Sequence, residues 1–188
     1  ASQLDLNFVV MNHTGTGVDL ATNMFIKSTT GSLTLTAGKI NTTSFRVDVA
    51  NGTPACVTTG NTSSYVNGNL YRTLSGAAGS YDFPVGTASL YERANITFTT
   101  ATTIPRLMSR FDSWGTPANH INALAECATT YNILSENMGF WTINATANPT
   151  SGTYNTVLYC NGATNTPGVS AWTVEKSQNS GATWILSG

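Results

Sequence analysis

Ser64-Tyr65-Val66-Asn67-Gly68-Asn69-Leu70-Tyr71-Arg72 is the stretch whose reading decides the fold. It is a strand-like run broken by Asn67-Gly68, and Asn-Gly is the strongest short-range turn dipeptide. A second run, Gly79-Ser80-Tyr81-Asp82-Phe83-Pro84-Val85-Gly86-Thr87, ends in another sharp turn. There Pro84 sets φ and Gly86 is free to take φ > 0. Working outward, the hydrophobic period is two. Leu4, Leu6, Phe8 and Val10 alternate with Asp5, Asn7 and Val9; Leu33 and Leu35 with Thr34 and Thr36; Phe45, Val47 and Val49 with Arg46 and Asp48. Each such run reads as a half-buried strand with one polar face.

Gly15-Thr16-Gly17, Thr30-Gly31-Ser32 and Asn51-Gly52-Thr53 punctuate these strands, and further strands are expected at 94–100, 140–145, 153–160, 172–176 and 183–186. Closely spaced strands and turns fit an all-β sandwich, jelly-roll-like, or the rungs of a solenoid. The sandwich is the expectation. Solenoid-like rungs are an alternative for the N-terminal part, with 18–26 and 33–40 as corresponding elements, but no fixed period survives comparison. One segment looks helical: in 117–126, Ile121, Leu124 and Ala125 share a face and Pro117 suits a first turn. At most one short helix is therefore expected, near 117–128. The chain reads as one all-β domain over 1–188, with a candidate sub-boundary near 105–128, after which come Trp141, Trp172 and Trp184.

Only 9% of the 188 residues are charged, and eight Lys and Arg face nine Asp and Glu for a net charge of -1. The basic residues are scattered, which argues against a nucleic-acid partner, since a phosphate backbone demands clustered cations. At 40% hydrophobic the chain has enough apolar side chain for a packed core. No apolar run approaches the ~20 residues that span a bilayer. Ala1-Ser2-Gln3 leads straight into strand pattern, so any leader is expected to have been removed.

Three cysteines, Cys56, Cys127 and Cys160, leave an odd one. Two readings stand: a Cys127–Cys160 bridge stabilising by roughly 3 kcal/mol, or three small buried apolar residues. The spacings do not suit zinc, and no metal or other cofactor is expected. General-base chemistry would need His13, beside a Gly-Thr-Gly turn, or His120, on the helical segment. Nucleophile-elbow, zinc-helix and phosphate-loop motifs are missing. A glycosidase needs only two facing acids, for which Asp82 and Glu92 are the best placed; solvated turn and edge residues is the plainer reading.

Sugar-binding surfaces use exposed aromatics with amide and hydroxyl donors, and Trp114, Trp141, Trp172, Tyr65, Tyr71, Tyr131 and Tyr154 supply the material. Alternation puts Trp141 in phase with Ile143 and Trp172 with Val174, on inward faces. Trp114, in a turn-rich loop, is the first choice for a ligand contact, with Tyr131 second. Sequons occur at Asn12, Asn41, Asn51, Asn61, Asn95 and Asn144, although Asn and Thr are common enough here to produce such triplets by chance.

The Leu33-Thr34-Leu35-Thr36-Ala37-Gly38 phrase, Ser64-Tyr65-Val66-Asn67-Gly68 and Tyr81-Asp82-Phe83-Pro84-Val85-Gly86, in this order, resemble the pattern of large secreted cell-surface proteins of Bacteroidetes-type bacteria. A fainter likeness runs through Gly139-Phe140-Trp141, Gly152-Thr153-Tyr154 and Ala171-Trp172-Thr173-Val174-Glu175-Lys176. The resemblance implies an extracellular, adhesin-like or matrix protein at the cell surface and carries no catalytic residues with it. The expected function is therefore non-enzymatic: a structural or adhesive β-protein, or a surface-filament subunit, with a carbohydrate-binding module as the alternative. Expected partners are copies of itself, other cell-surface proteins or glycans. Leu4, Leu6, Phe8 and Val10 form the candidate assembly strand, because a terminal strand can add to a neighbour's sheet edge.

Overall fold

Side chains that repeat on one face need a neighbouring strand to repeat beside, and in the first half of this chain the neighbour is the next circuit of a coil. The computed structural model describes residues 3–27, 29–113, 124–126, 129–131, 139–147, 151–161, 175–176 and 185–186. Strands β1 (Gln3–Leu6), β2 (Phe8–Asn12) and β3 (Val18–Asp19) make a first circuit, and β4 (Asn23–Ile26), β5 (Ser32–Ala37) and β6 (Ile40–Asn41) a second. The third has β7 (Val47–Val49), Val57 as a lone bridge to Leu33, and β8 (Val66–Asn67). The fourth has β9 (Leu70–Thr73), β10 (Gly79–Phe83) and β11 (Val85–Gly86).

Corresponding strands pair in parallel. One face runs β1-β4-β7-β9, another β2-β5, and a third β3-β6-β8-β11. The arrangement is all-β and β-solenoid-like. A jelly-roll sandwich is not confirmed, since jelly rolls are built from antiparallel Greek keys. The rung alignment foreseen from sequence is also displaced: Val18 stands beside Ile40, and Leu33 beside Val9.

Inward-facing side chains stack in rows along the coil. Met24, Val47 and Leu70 follow Leu4; Ile26, Val49 and Arg72 follow Leu6; Ile40, Val66 and Val85 follow Val18. All but those of the first circuit are buried, and each buried aliphatic contributes roughly 1.5–3 kcal/mol relative to exposure.

Asn67-Gly68 is a corner of this coil rather than a hairpin: β8 and β9 belong to different sheets. Gly68 has φ 121°, and a Cβ there would stand 2.0 Å from Thr42 Oγ1. Gly86 differs from expectation. Its φ is not positive, and glycine is required for space instead, since a Cβ would lie 2.0 Å from the Leu90 carbonyl oxygen.

Beyond the coil come β12 (Ala94–Phe98), β13 (Arg106–Asp112), β14 (Leu124–Glu126), β15 (Thr129–Tyr131), β16 (Phe140–Ala145), β17 (Tyr154–Leu158), β18 (Glu175–Lys176) and β19 (Ile185–Leu186). Pairing here turns antiparallel: β9-β13-β16 extends the first face, and β10-β12-β17 forms a separate sheet. The chain divides into two compact units, Ala1–Ser113 with Phe140–Gly162, and Trp114–Gly139 with Ala163–Gly188. In the second, β14 pairs with β15 and β18 with β19, both antiparallel.

The helix expected near 117–128 is corrected where that segment is described, because Leu124–Glu126 is strand. Its Leu-Ala-Glu run suits either conformation, and pairing with β15 decides it. The rest of 117–128 lies outside the described residues. Among those, the one helical turn is a 3-10 turn at Pro54–Cys56.

Candidate functional site

On the third face of the coil, Asp19, Asn41 and Asn67 each stand one position after a residue of the inward row. They therefore fall in one outward column. The column is hydrogen-bonded end to end: Asn67 Nδ2 donates to Asn41 Oδ1 at 3.0 Å, and Asn41 Nδ2 donates to Asp19 Oδ1 at 2.7 Å. Each of the two amides thus gives one N–H toward Asp19, and Asn67 Oδ1, at the far end, accepts no hydrogen bond among the described residues. Beside that end, Thr42 Oγ1 accepts from the Asn69 N–H at 3.0 Å. Thr43 is the one non-glycine described residue with positive φ, at 52°.

Asn41, Thr43, Asn67 and Gly68 line an open groove of about 310 Å³ together with Thr87 and the end of β13. Arg110 Nε donates to Asp112 Oδ2 at 2.6 Å. That pairing leaves the two terminal guanidinium nitrogens and Asp112 Oδ1 without partners among the described residues. The groove thus combines amide, hydroxyl, guanidinium and carboxylate in balanced charge. A second open hollow, about 470 Å³, lies between His13, Lys39 and Ser63. Its cation is already engaged, since the Lys39 ammonium donates to the Ala88 carbonyl and lies 5.2 Å from the Tyr65 ring centre.

The expected assembly strand divides at Asn7 into β1 and β2, and its phase inverts there. Leu4 and Leu6 continue inward rows, whereas Phe8 and Val10 face outward and are each 65% exposed. Leu4 and Val18 are exposed too, because no strand among the described residues covers the first circuit.

Other candidates are scattered. Asp82 pairs with Arg93 at 3.5 Å and accepts from Asn95, while Glu92 is fully buried and accepts from the Asn161 N–H at 3.1 Å. His13 is exposed and accepts from the Gly15 N–H. Cys56 is buried and free. Of the expected Cys127–Cys160 bridge only Cys160 is described, an exposed residue. Cys127, His120, Trp114, Trp172 and Trp184 lie outside the described residues; Tyr131 is placed in β15, and only its backbone is described.

Trp141 opposes buried Phe111 at 4.8 Å between ring centres and donates to the Glu92 carbonyl, so it shares the inward face with Ile143, opposite buried Ser109. Asn51 is interior, its amide donating to the Gly31 carbonyl, which removes that sequon from the surface. Asn41 and Asn67, the residues that meet in the groove, were not read from sequence as a pair. The signal was an Asn closing each of two strands of one face. Among the described residues no group of His, Cys, Asp and Glu could hold a metal ion, and no helix is long and apolar enough to cross a membrane. Set against known proteins, the chain significantly matches no family model, no curated protein and no solved structure.

Proposed function

We propose that this protein is a non-enzymatic structural or adhesive component of a bacterial cell surface, a filament building block that joins copies of itself. The observation that carries this reading is the uncovered first circuit. β1, β2 and β3 each pair on one side only among the described residues, so their outer main-chain groups are open to another strand. Leu4, Phe8, Val10 and Val18 stand exposed beside that edge. Open apolar edges of this kind template strand addition. At the other end of the same unit, edge strand β17 exposes Tyr154 and Val157. Contact between two unlike edges is heterologous and propagates as an open fibre. The extracellular bacterial setting rests on the sequence resemblance and the low-charge, hydroxyl-rich composition.

The test is sedimentation and negative-stain imaging over rising concentration, comparing the intact protein with Phe8→Lys/Val10→Lys. Both side chains already face solvent, so the double variant should keep the circular dichroism and melting temperature of the parent. The parent is expected to polymerise and the variant to remain monomeric. A parent that stays monomeric, or a variant that polymerises equally, overturns the reading.

A further inference from the structure

The geometry points to the groove at the end of the amide column as a binding site for a neutral saccharide, recognised through a pair of neighbouring hydroxyls. Its residues are distinct from those of the assembly edge, so either idea can fail alone.

The groove's size comes first. At about 310 Å³ it is at the small end of ligand pockets, suited to one sugar ring of a longer chain passing through an open trough. Its polar groups then select the ligand. Among the described residues Asn67 Oδ1 and Asp112 Oδ1 are unspent acceptors and the terminal nitrogens of Arg110 unspent donors, all on residues that line the same groove. A hydroxyl both donates and accepts, so two adjacent hydroxyls satisfy acceptors and donors together.

Charged ligands fit less well. An anion drawn to Arg110 meets the Asp112 carboxylate that pairs with it, and a cation drawn to Asp112 meets the guanidinium. Hydrogen bonding within the column also fixes the Asn67 amide before any ligand arrives: one of its two N–H donors is committed to Asn41, which turns Oδ1 to the free end. Such pre-organisation lowers the entropic cost of binding. Phe111 lines the groove but is buried against Trp141, so recognition here is polar, without a stacking platform.

The experiment is titration calorimetry on the full chain with neutral hexasaccharides of glucose, mannose and N-acetylglucosamine, and with inorganic phosphate and calcium chloride as charged probes. Binding of at least one hexasaccharide is expected, weakened about tenfold or more in both Asn67→Ala and Arg110→Gln. Arg110 is partly exposed, so Arg110→Gln keeps the test valid if Asn67→Ala fails to fold. The proposal is overturned if no hexasaccharide binds, if Arg110→Gln binds as tightly as the parent, or if phosphate or calcium displaces the sugar.

Discussion

Arg72 occupies a place in the interior where Leu6, Ile26 and Val49 precede it in the row. It is fully buried and contacts no carboxylate among the described residues. Its guanidinium instead donates to three backbone carbonyls, those of Asp82 at 2.7 Å, Pro54 at 2.6 Å and Thr53 at 3.2 Å, and to Cys56 Sγ at 3.4 Å. The rings of Tyr81 and Phe83 flank it at 5.2 and 5.9 Å. Burial pulls its pKa down, and the neighbouring Cys56 and Asp82 work in the opposite sense. Three carbonyls lose a donor with this side chain, although that of Thr53 also accepts from the Cys56 N–H at 3.1 Å, so Arg72→Ala should cost at least about 3 kcal/mol in urea unfolding, from under-satisfied acceptors and a cavity. Arg72→Lys should recover only part of that, because a point charge cannot reach three divergent acceptors as a planar fork does. Equal stability of the lysine variant and the parent would show that charge alone suffices. Sequence could not foresee this: alternation marks Arg72 as inward, but nothing local says which carbonyls will receive it.

Among the elements, the corners are more demanding than the strands. Gly68 combines φ 121° with a blocked Cβ direction, whereas Gly76 has φ 80° with the nearest obstacle 3.7 Å away, and Gly86 is blocked without positive φ. The stability losses on alanine substitution should therefore rank Gly68 first, at roughly 2–4 kcal/mol from strain plus collision, and Gly76 last, near 1 kcal/mol. A Gly76→Ala variant that melts below Gly68→Ala would contradict that order. Strand existence was readable where alternation is clean, as in β16 and β12. β13, the longest strand at seven residues, was lost in the expected boundary region, because Leu107 and Met108 are consecutive apolar residues and both are buried. It also carries an ion pair within the sheet: Asp48, itself buried, is paired by Arg106 from β13 and by Arg46 at 3.4 Å. Burial pushes the Asp48 carboxyl up against the pull of the two guanidinium groups.

For the whole molecule, the repeat was hidden by unequal corners. On the first face Met24, Val47 and Leu70 are each 23 residues apart, but on the third the steps from Val18 to Ile40, Val66 and Val85 are 22, 26 and 19. Alternation survives such insertions; a fixed period does not, which is why strands were legible and their stacking was not. The long corners are tied down by tyrosines. Tyr65 donates to the Thr87 carbonyl at 2.7 Å, Tyr91 donates to the Thr59 carbonyl, and the two rings lie 5.4 Å apart. Burial, aided by Glu92 for Tyr65, pushes both phenols up to about 12. An unfolded tyrosine ionises near 10, so the folded state holds these protons longer. Their contribution is complete below pH ~10 and is lost as pH rises toward about 12. The melting temperature should fall steeply across that window, and Tyr65→Phe/Tyr91→Phe should flatten the fall while lowering stability at neutral pH by about 1–3 kcal/mol. An unchanged alkaline slope in the double variant would assign the loss to other groups.

In the coil every circuit is held to the next by main-chain hydrogen bonds that run along the stacking direction, with a step of about 4.8 Å. Mechanical load is therefore borne very differently along two directions. A pull along the stack draws the circuits apart and opens the hydrogen bonds of one interface lengthwise, while a pull along the strands slides neighbours past each other and loads a whole ladder in shear. The ladders β4–β7 and β7–β9 have only three residue pairs each, against four between β1 and β4, so a stack stretched along its length should part first at one of the two interfaces of the third circuit.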